Sequence, residues 1–177
     1  MQFAGEGFAT PLLSGQPYGV TILAEALSEE EVETGRPFSG KAGFRFNRLV
    51  EWAGLDRNRF DLFPVAWCRP PSGQMDGQPW ERGAVDHCRS HHWGPLLHRS
   101  RVVVPMGNTA TNALLGKKGI LSIRGYVEGL NGHYVVPTVH PSFIQKGQAK
   151  WSAPFIHDLQ KAVRLAAEGR PVEVLDY

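Results

Sequence analysis

Residues 101–116 read RVVVPMGNTATNALLG. Val102–Val104 form an uninterrupted β-branched run, which reads as a strand with no solvent face. Gly107 then supplies a turn, and the following residues suit a short helix ending at Gly116. Strand, turn and helix in direct succession form the unit of a parallel α/β sheet.

The same alternation extends outward. VTILAEA (20–26) is an apolar run between Gly19 and a charged cluster and reads as a buried strand. In AGFRFNRLVEWAGL (42–55), Phe46, Leu49, Val50 and Ala53 recur at helical spacing, with Gly54 as the stop. FDLFPVAWC (60–68) is strand-like, and Pro64 within it argues for a strand end or a bulge. RPPSGQMDGQPW (69–80) is loop by composition, and 81–100 reads as helical with a break at Gly94–Pro95. HYVVPTV (133–139) is a fourth strand. In 153–169, Phe155, Leu159, Val163 and Ala166 line one face of a last helix that Gly169 caps. The expected fold is α/β: one domain over residues 1–177, three layers (α/β/α), with a central, mainly parallel four-stranded sheet.

Composition narrows the function less. The chain has 177 residues, 42% hydrophobic and 20% charged, an ordinary globular balance that fits one domain. A net charge of +2 permits an anionic partner without demanding one. No apolar run approaches the roughly 18 residues of a membrane span. The start, MQFAGEGFAT, lacks the charge and apolar stretch of a secretory signal. The expectation is a cytoplasmic monomer with no membrane partner. Cys68 and Cys88 are open to three readings: a disulfide, two reduced thiols or half of a metal site. Five Trp and nine Phe serve either a core or base stacking.

In such sheets ligands bind at the carboxyl ends of strands, which directs attention to Glu25, Cys68, Gly107 and His140. GRPFSGK (35–41) nearly matches a phosphate-binding P-loop, with three faults. It lies well past the preceding strand, Pro37 removes an amide, and Ala42 replaces the magnesium-binding hydroxyl. Nucleotide hydrolysis is set aside on those grounds. Glu29, Glu30 and Glu33 fit the solvated first turn of a helix. Glu25 at the end of a buried strand is costly unless paired or functional. A lone His after a strand is commonly structural. His140 with Glu25 at two strand ends, and Phe38 on the turn between, supplies an acid, a base and an aromatic plate. That set fits recognition of a planar ring and cleavage beside it.

EEEVETGRPFSGKAG, CRPP, MGNTATNALLGKKGILSIRG, TVHPS and DLQKA occur in this order. Together they resemble the iron–sulfur type of uracil-DNA glycosylase, family four, from about Gly19 to Ala162. The resemblance aligns Ala24, Glu25, Ala26, Leu27, Ser28 and Glu31 with the family's first motif, keeping both glutamates and losing its Pro-Gly pair. It implies a monofunctional glycosylase that extrudes a pyrimidine from DNA and hydrolyses its N-glycosidic bond. Glu25 and His140 would be catalytic, Phe38 and Ala26 would bind the base, and Glu31 would brace the loop. Gly40, Lys41, Ser142 and Lys146 would contact phosphates, with Phe143 or Ile144 as a wedge in the vacated stack, although ordinary packing accounts for those two equally well.

Two departures stand out. Where the family reads the base edge with Asn, this chain has Pro64, which leaves uracil and other modified pyrimidines both open as substrates. The family's 4Fe–4S cluster takes four cysteines, of which Cys68 and Cys88 match two, with His87, His91 and His92 nearby. The expectation is no cofactor, with a cluster held at an altered site by Cys68 and Cys88 as the alternative. A non-catalytic DNA-binding module that kept the fold is the alternative reading, and repair and attack on foreign DNA are both open as the biological role.

Overall fold

The computed structural model describes residues 7–15 and 17–169. Strand β1 (Val20–Ala26) lies inside a sheet that also contains β2 (Asp61–Ala66), β3 (Val102–Pro105), β4 (Glu128–Leu130) and β5 (His133–Val135). The strand order is β2-β1-β3-β5-β4. β1 runs parallel to β2 and β3, β3 runs parallel to β5, and only β4 is antiparallel, against β5. The sheet thus has five strands where the sequence predicts four. The added strand belongs to a hairpin whose turn is Asn131–Gly132, both at positive φ (49° and 83°). An Asn-Gly pair is the sequence signature of such a two-residue turn.

Alternate residues of each strand feed two cores, one per face of the sheet. Val20, Ile22, Leu62, Val102 and Val104 pack against Phe46, Leu49 and Val50 of α2 (Lys41–Trp52) and Phe155 and Leu159 of α7 (Ser152–Glu168). Leu23, Phe63, Val65 and Val103 face the other way. They meet Ala84 and Val85 of α3 (Glu81–Cys88) and Ala110 and Ala113 of α4 (Gly107–Leu115). The result is the three-layer α/β/α arrangement, completed by α1 (Glu29–Thr34), α5 (Ile120–Ile123) and α6 (Pro141–Gln145).

Pro64 sits inside β2, paired with Ala24, rather than at a strand end or bulge. An edge position tolerates it. Leu62 exchanges both backbone hydrogen bonds with Leu12 on the side away from β1 (2.8 and 3.1 Å). By the two-residue period of a strand, Pro64 also turns its nitrogen outward, where β1 needs no donor. The helical region past α3 is continuous. A π-helical turn (Arg89–Trp93) and a 3₁₀ stretch (Gly94–Arg99) follow without the expected break. The π turn delivers buried Trp93, whose indole N–H donates to the Val65 carbonyl (3.1 Å).

Asp158, wholly buried on α7, accepts from the Thr138 hydroxyl (2.7 Å) and from Arg124 Nε (2.8 Å) and a second guanidinium nitrogen. This network fixes the segment after β5, two residues before His140. No helix among the described residues is long and apolar enough to cross a membrane.

Candidate active site at the carboxyl edge of the sheet

β1 runs on to Ala26 beyond Leu23, its last residue paired with β3. Glu25 therefore emerges past the end of β3, at the sheet's carboxyl edge. On the neighbouring side the chain leaves Thr138, which bridges to Met106, and reaches His140, the N-cap of α6. Gly107, at φ 81°, makes this approach possible: a Cβ there would lie 3.1 Å from that of His140. Both side chains line a cavity of about 450 Å³, in the size range of small-molecule sites.

The electrostatics of the pair are opposite. Burial raises the Glu25 pKa above its ordinary value, the charges of Asp76 and Glu81 add to the rise, and Lys146 offsets part of it. Burial, with a smaller push from Lys146, lowers His140 to about 4. His140 is therefore neutral at pH 7. Its Nδ1 accepts the Ser142 backbone N–H (3.2 Å), with the Ser142 hydroxyl 2.7 Å away. An amide can only donate, so Nδ1 carries the lone pair and Nε2 carries the proton.

Phe38 forms part of the same wall and is 5% exposed. Its φ of 63° lies in the left-handed region, an uncommon place for an aromatic residue. Two contacts impose it. The Phe38 amide donates to Glu31 Oε1, while Glu31 Oε2 accepts the Ser28 amide (2.7 Å) in the capping box of α1. The first turn of α2 presses on the Phe38 carbonyl, so that a Cβ on Gly43 would stand 2.0 Å from its oxygen. Phe46 holds the ring from behind, with centroids 5.1 Å apart.

Of the residues picked out from sequence, Glu25, Ala26, Glu31, Phe38, His140, Ser142 and Lys146 share this cavity wall. Gly40, Lys41, Pro64 and Phe143 do not line it. Gly40 caps α2 against the Ser28 hydroxyl, Lys41 is exposed beside it, and Pro64 lies one strand out, paired with the wall residue Ala24. Phe143 is half-buried against the core, and Ile144, at 1% exposure, is core itself and out of reach as a wedge. Sequence reasoning missed Gln74 and Asp76, which the 69–80 loop returns to the cavity, and Met106 from the end of β3. The Gly and Pro content of that loop marked it as irregular but carried no sign of where it would fold back.

Cys68 and Cys88 are free thiols, and burial raises the pKa of both. Cys88 Sγ receives the Trp67 amide at 3.5 Å. His92 stacks on Trp67 (4.6 Å) and His91 on His87 (4.5 Å). Among the described residues no group of three or more His, Cys, Asp or Glu is placed to hold a metal ion. Two cysteines cannot supply the four thiolates of a 4Fe–4S cluster.

Fold and site together define an α/β/α protein with a carboxylate, a neutral histidine and an aromatic plate around one cavity at the carboxyl edge of its sheet. Residues 16–163 match the uracil DNA glycosylase superfamily, and the chain belongs to that family. It is similar to the type-4 uracil-DNA glycosylase of Thermotoga maritima, 31% identical over 152 residues, which covers 81% of this chain and 75% of that protein. Type-4 uracil-DNA glycosylases of Sulfurisphaera tokodaii and Saccharolobus solfataricus match at 29% and 26% identity, over 76% and 70% of this chain. Those matches span 66% and 60% of the respective relatives.

Proposed function

We propose that this protein is a monofunctional DNA N-glycosylase that takes an extruded pyrimidine into the cavity and hydrolyses its glycosidic bond, leaving an abasic site. The observation that carries the reading is the pairing of Glu25 with an Nε2-protonated, neutral His140 across one cavity. The names of the relatives, uracil-DNA glycosylases, support the same chemistry.

The bond from C1′ to the base nitrogen breaks with its electron pair going to the base. Negative charge gathers on the base oxygen, and the sugar becomes cationic. His140 Nε2–H donates a hydrogen bond to that oxygen. A neutral donor serves an anion without trapping it by proton transfer. The Glu25 carboxylate faces the cation and orients a water, whose oxygen bonds to C1′ while its proton passes to Glu25. Both groups act on charge that exists only as the bond breaks, so they lower the barrier rather than merely binding substrate. Phe38 stacks on the base, which offsets about 1–3 kcal/mol of the cost of unstacking it.

Pro64 favours a second reading within the same chemistry. Pro64 stands one strand out from the wall residue Ala24 and sends no polar side chain toward the base, so uracil and a modified pyrimidine are both candidate substrates. Base release from oligonucleotides carrying uracil or one of several modified pyrimidines tests both readings. Glu25→Ala and His140→Ala should each lower the rate at least about a hundredfold, as removal of one such electrostatic group does elsewhere. Full activity in both variants sinks the assignment.

A further inference from the structure

One face of α2 lies largely outside the core and the cavity; of its residues Arg45 is half-buried and donates to the Ser152 hydroxyl of α7 (3.3 Å). At 100° per residue, Lys41, Phe44, Arg45, Arg48 and Trp52 fall within about 100° of the helix circumference. That sector lies opposite the buried Gly43, Phe46 and Val50, and the buried Leu49 borders it. Phe44 is 66% and Trp52 52% exposed, which is wasteful for large aromatics unless something covers them. The Arg45 and Arg48 guanidinium groups stand 5.7 and 5.6 Å from the Trp52 ring centroid. Neither arginine nor Lys41 forms an ion pair with a carboxylate among the described residues. The face starts at the end of the helix nearest the cavity, where Ala42 and Gly43, next to Lys41 in the chain but on other sides of the helix, line the cavity wall.

We propose that this face is a track for single-stranded DNA leading away from the cavity, with Phe44 and Trp52 as stacking platforms and Lys41, Arg45 and Arg48 as phosphate contacts. The inference deepens the glycosylase reading and rests on it for the position of the flipped base. Cations interleaved with exposed aromatics are what an unpaired strand requires, because its bases offer π faces and its backbone a regular line of charge. A duplex hides those faces. The occupant is set by charge complementarity and by the nearness of the helix's first turn to the cavity. From Lys41 to Trp52 the helix rises about 16 Å at 1.5 Å per residue, room for about five stacked nucleotides at 3.4 Å each.

The test is fluorescence anisotropy of the full chain with labelled, lesion-free oligothymidylates of increasing length and with a duplex control. Base release is measured in parallel on a long single strand and on a trinucleotide with the target base at its centre. Affinity should rise with length and level off once about five nucleotides flank the cavity. Phe44→Ala and Trp52→Ala should each weaken single-strand binding about five- to a hundredfold, with little change on duplex. Arg48→Gln should flatten the salt dependence by about 0.7 in slope. All three should release the base from the trinucleotide at the wild-type rate. Each side chain is exposed, and matching circular dichroism melts will establish that the variants fold.

Wild-type affinity in the aromatic variants overturns the proposal, as does equal weakening on duplex. Concentration-dependent self-association that Trp52→Ala abolishes, with DNA binding intact, would assign the face to a second copy of the chain and overturn it as well. No base release from any substrate would instead strike the glycosylase reading, and the length and variant dependence of binding would still decide the track.

Discussion

Lowering the pH from 7 to 4.5 should cost the wild-type fold about 2 kcal/mol more than it costs His140→Asn. In the folded protein the imidazole pKa falls from its usual 6.5 to about 4, through burial and then Lys146. Between those values the unfolded chain takes up a proton that the folded chain refuses. The stability is therefore fully present above pH 6.5 and is lost as the pH falls toward 4. The whole span corresponds to about 3 kcal/mol. His140 borders the cavity and is only partly buried, so solvent screening reduces the figure to about 2 kcal/mol. Urea unfolding of both proteins at the two pH values measures the difference, and the other carboxylates cancel in the comparison. A wild-type imidazole that titrates near 6.5 by NMR, or equal pH dependence of the two proteins, would refute the neutral-donor argument.

Three further outcomes follow from particular contacts. Gly43→Ala should lower stability by about 1–3 kcal/mol, since the new Cβ meets the Phe38 carbonyl; a gain, as helix propensity alone would give, contradicts the close packing. Asp158→Asn should cost about 3–5 kcal/mol in urea unfolding, because it leaves the Arg124 charge uncompensated. It should also slow base release by loosening the Thr138–His140 segment. Asp76→Asn removes a negative charge that raises the Glu25 pKa, so the acid limb of the pH–rate profile should move to lower pH; an unmoved limb would separate Asp76 from the reacting carboxylate.

The parts of this fold that were legible in the sequence are those whose burial is local. Val20–Ala26 and Val102–Pro105 are nearly continuous apolar runs because both faces of the sheet are covered, and α2 and α7 declare themselves by their spacing. β4 was hidden because its three residues, Glu-Gly-Leu, have no pattern of their own. Only the Asn131–Gly132 turn betrayed it. Glu25 and His140 were legible as strand-end residues, since a parallel sheet brings all such ends to one edge. Asp76 and Gln74 were not, because the path of a loop depends on what it packs against. Pro64 misled for a related reason: whether a proline breaks a strand depends on which neighbour the strand lacks.

That neighbour bears on how the protein behaves when crowded. An open sheet edge is a template on which another chain can add a strand, the first step of aggregation. Here one edge is occupied at Leu62 by Leu12, and two residues on its outward nitrogen is a proline, unable to donate to an incoming strand. The other edge is the three-residue β4, too short to hold a partner. A proline that spoiled the strand pattern in the sequence thus helps to keep separate chains from zipping together.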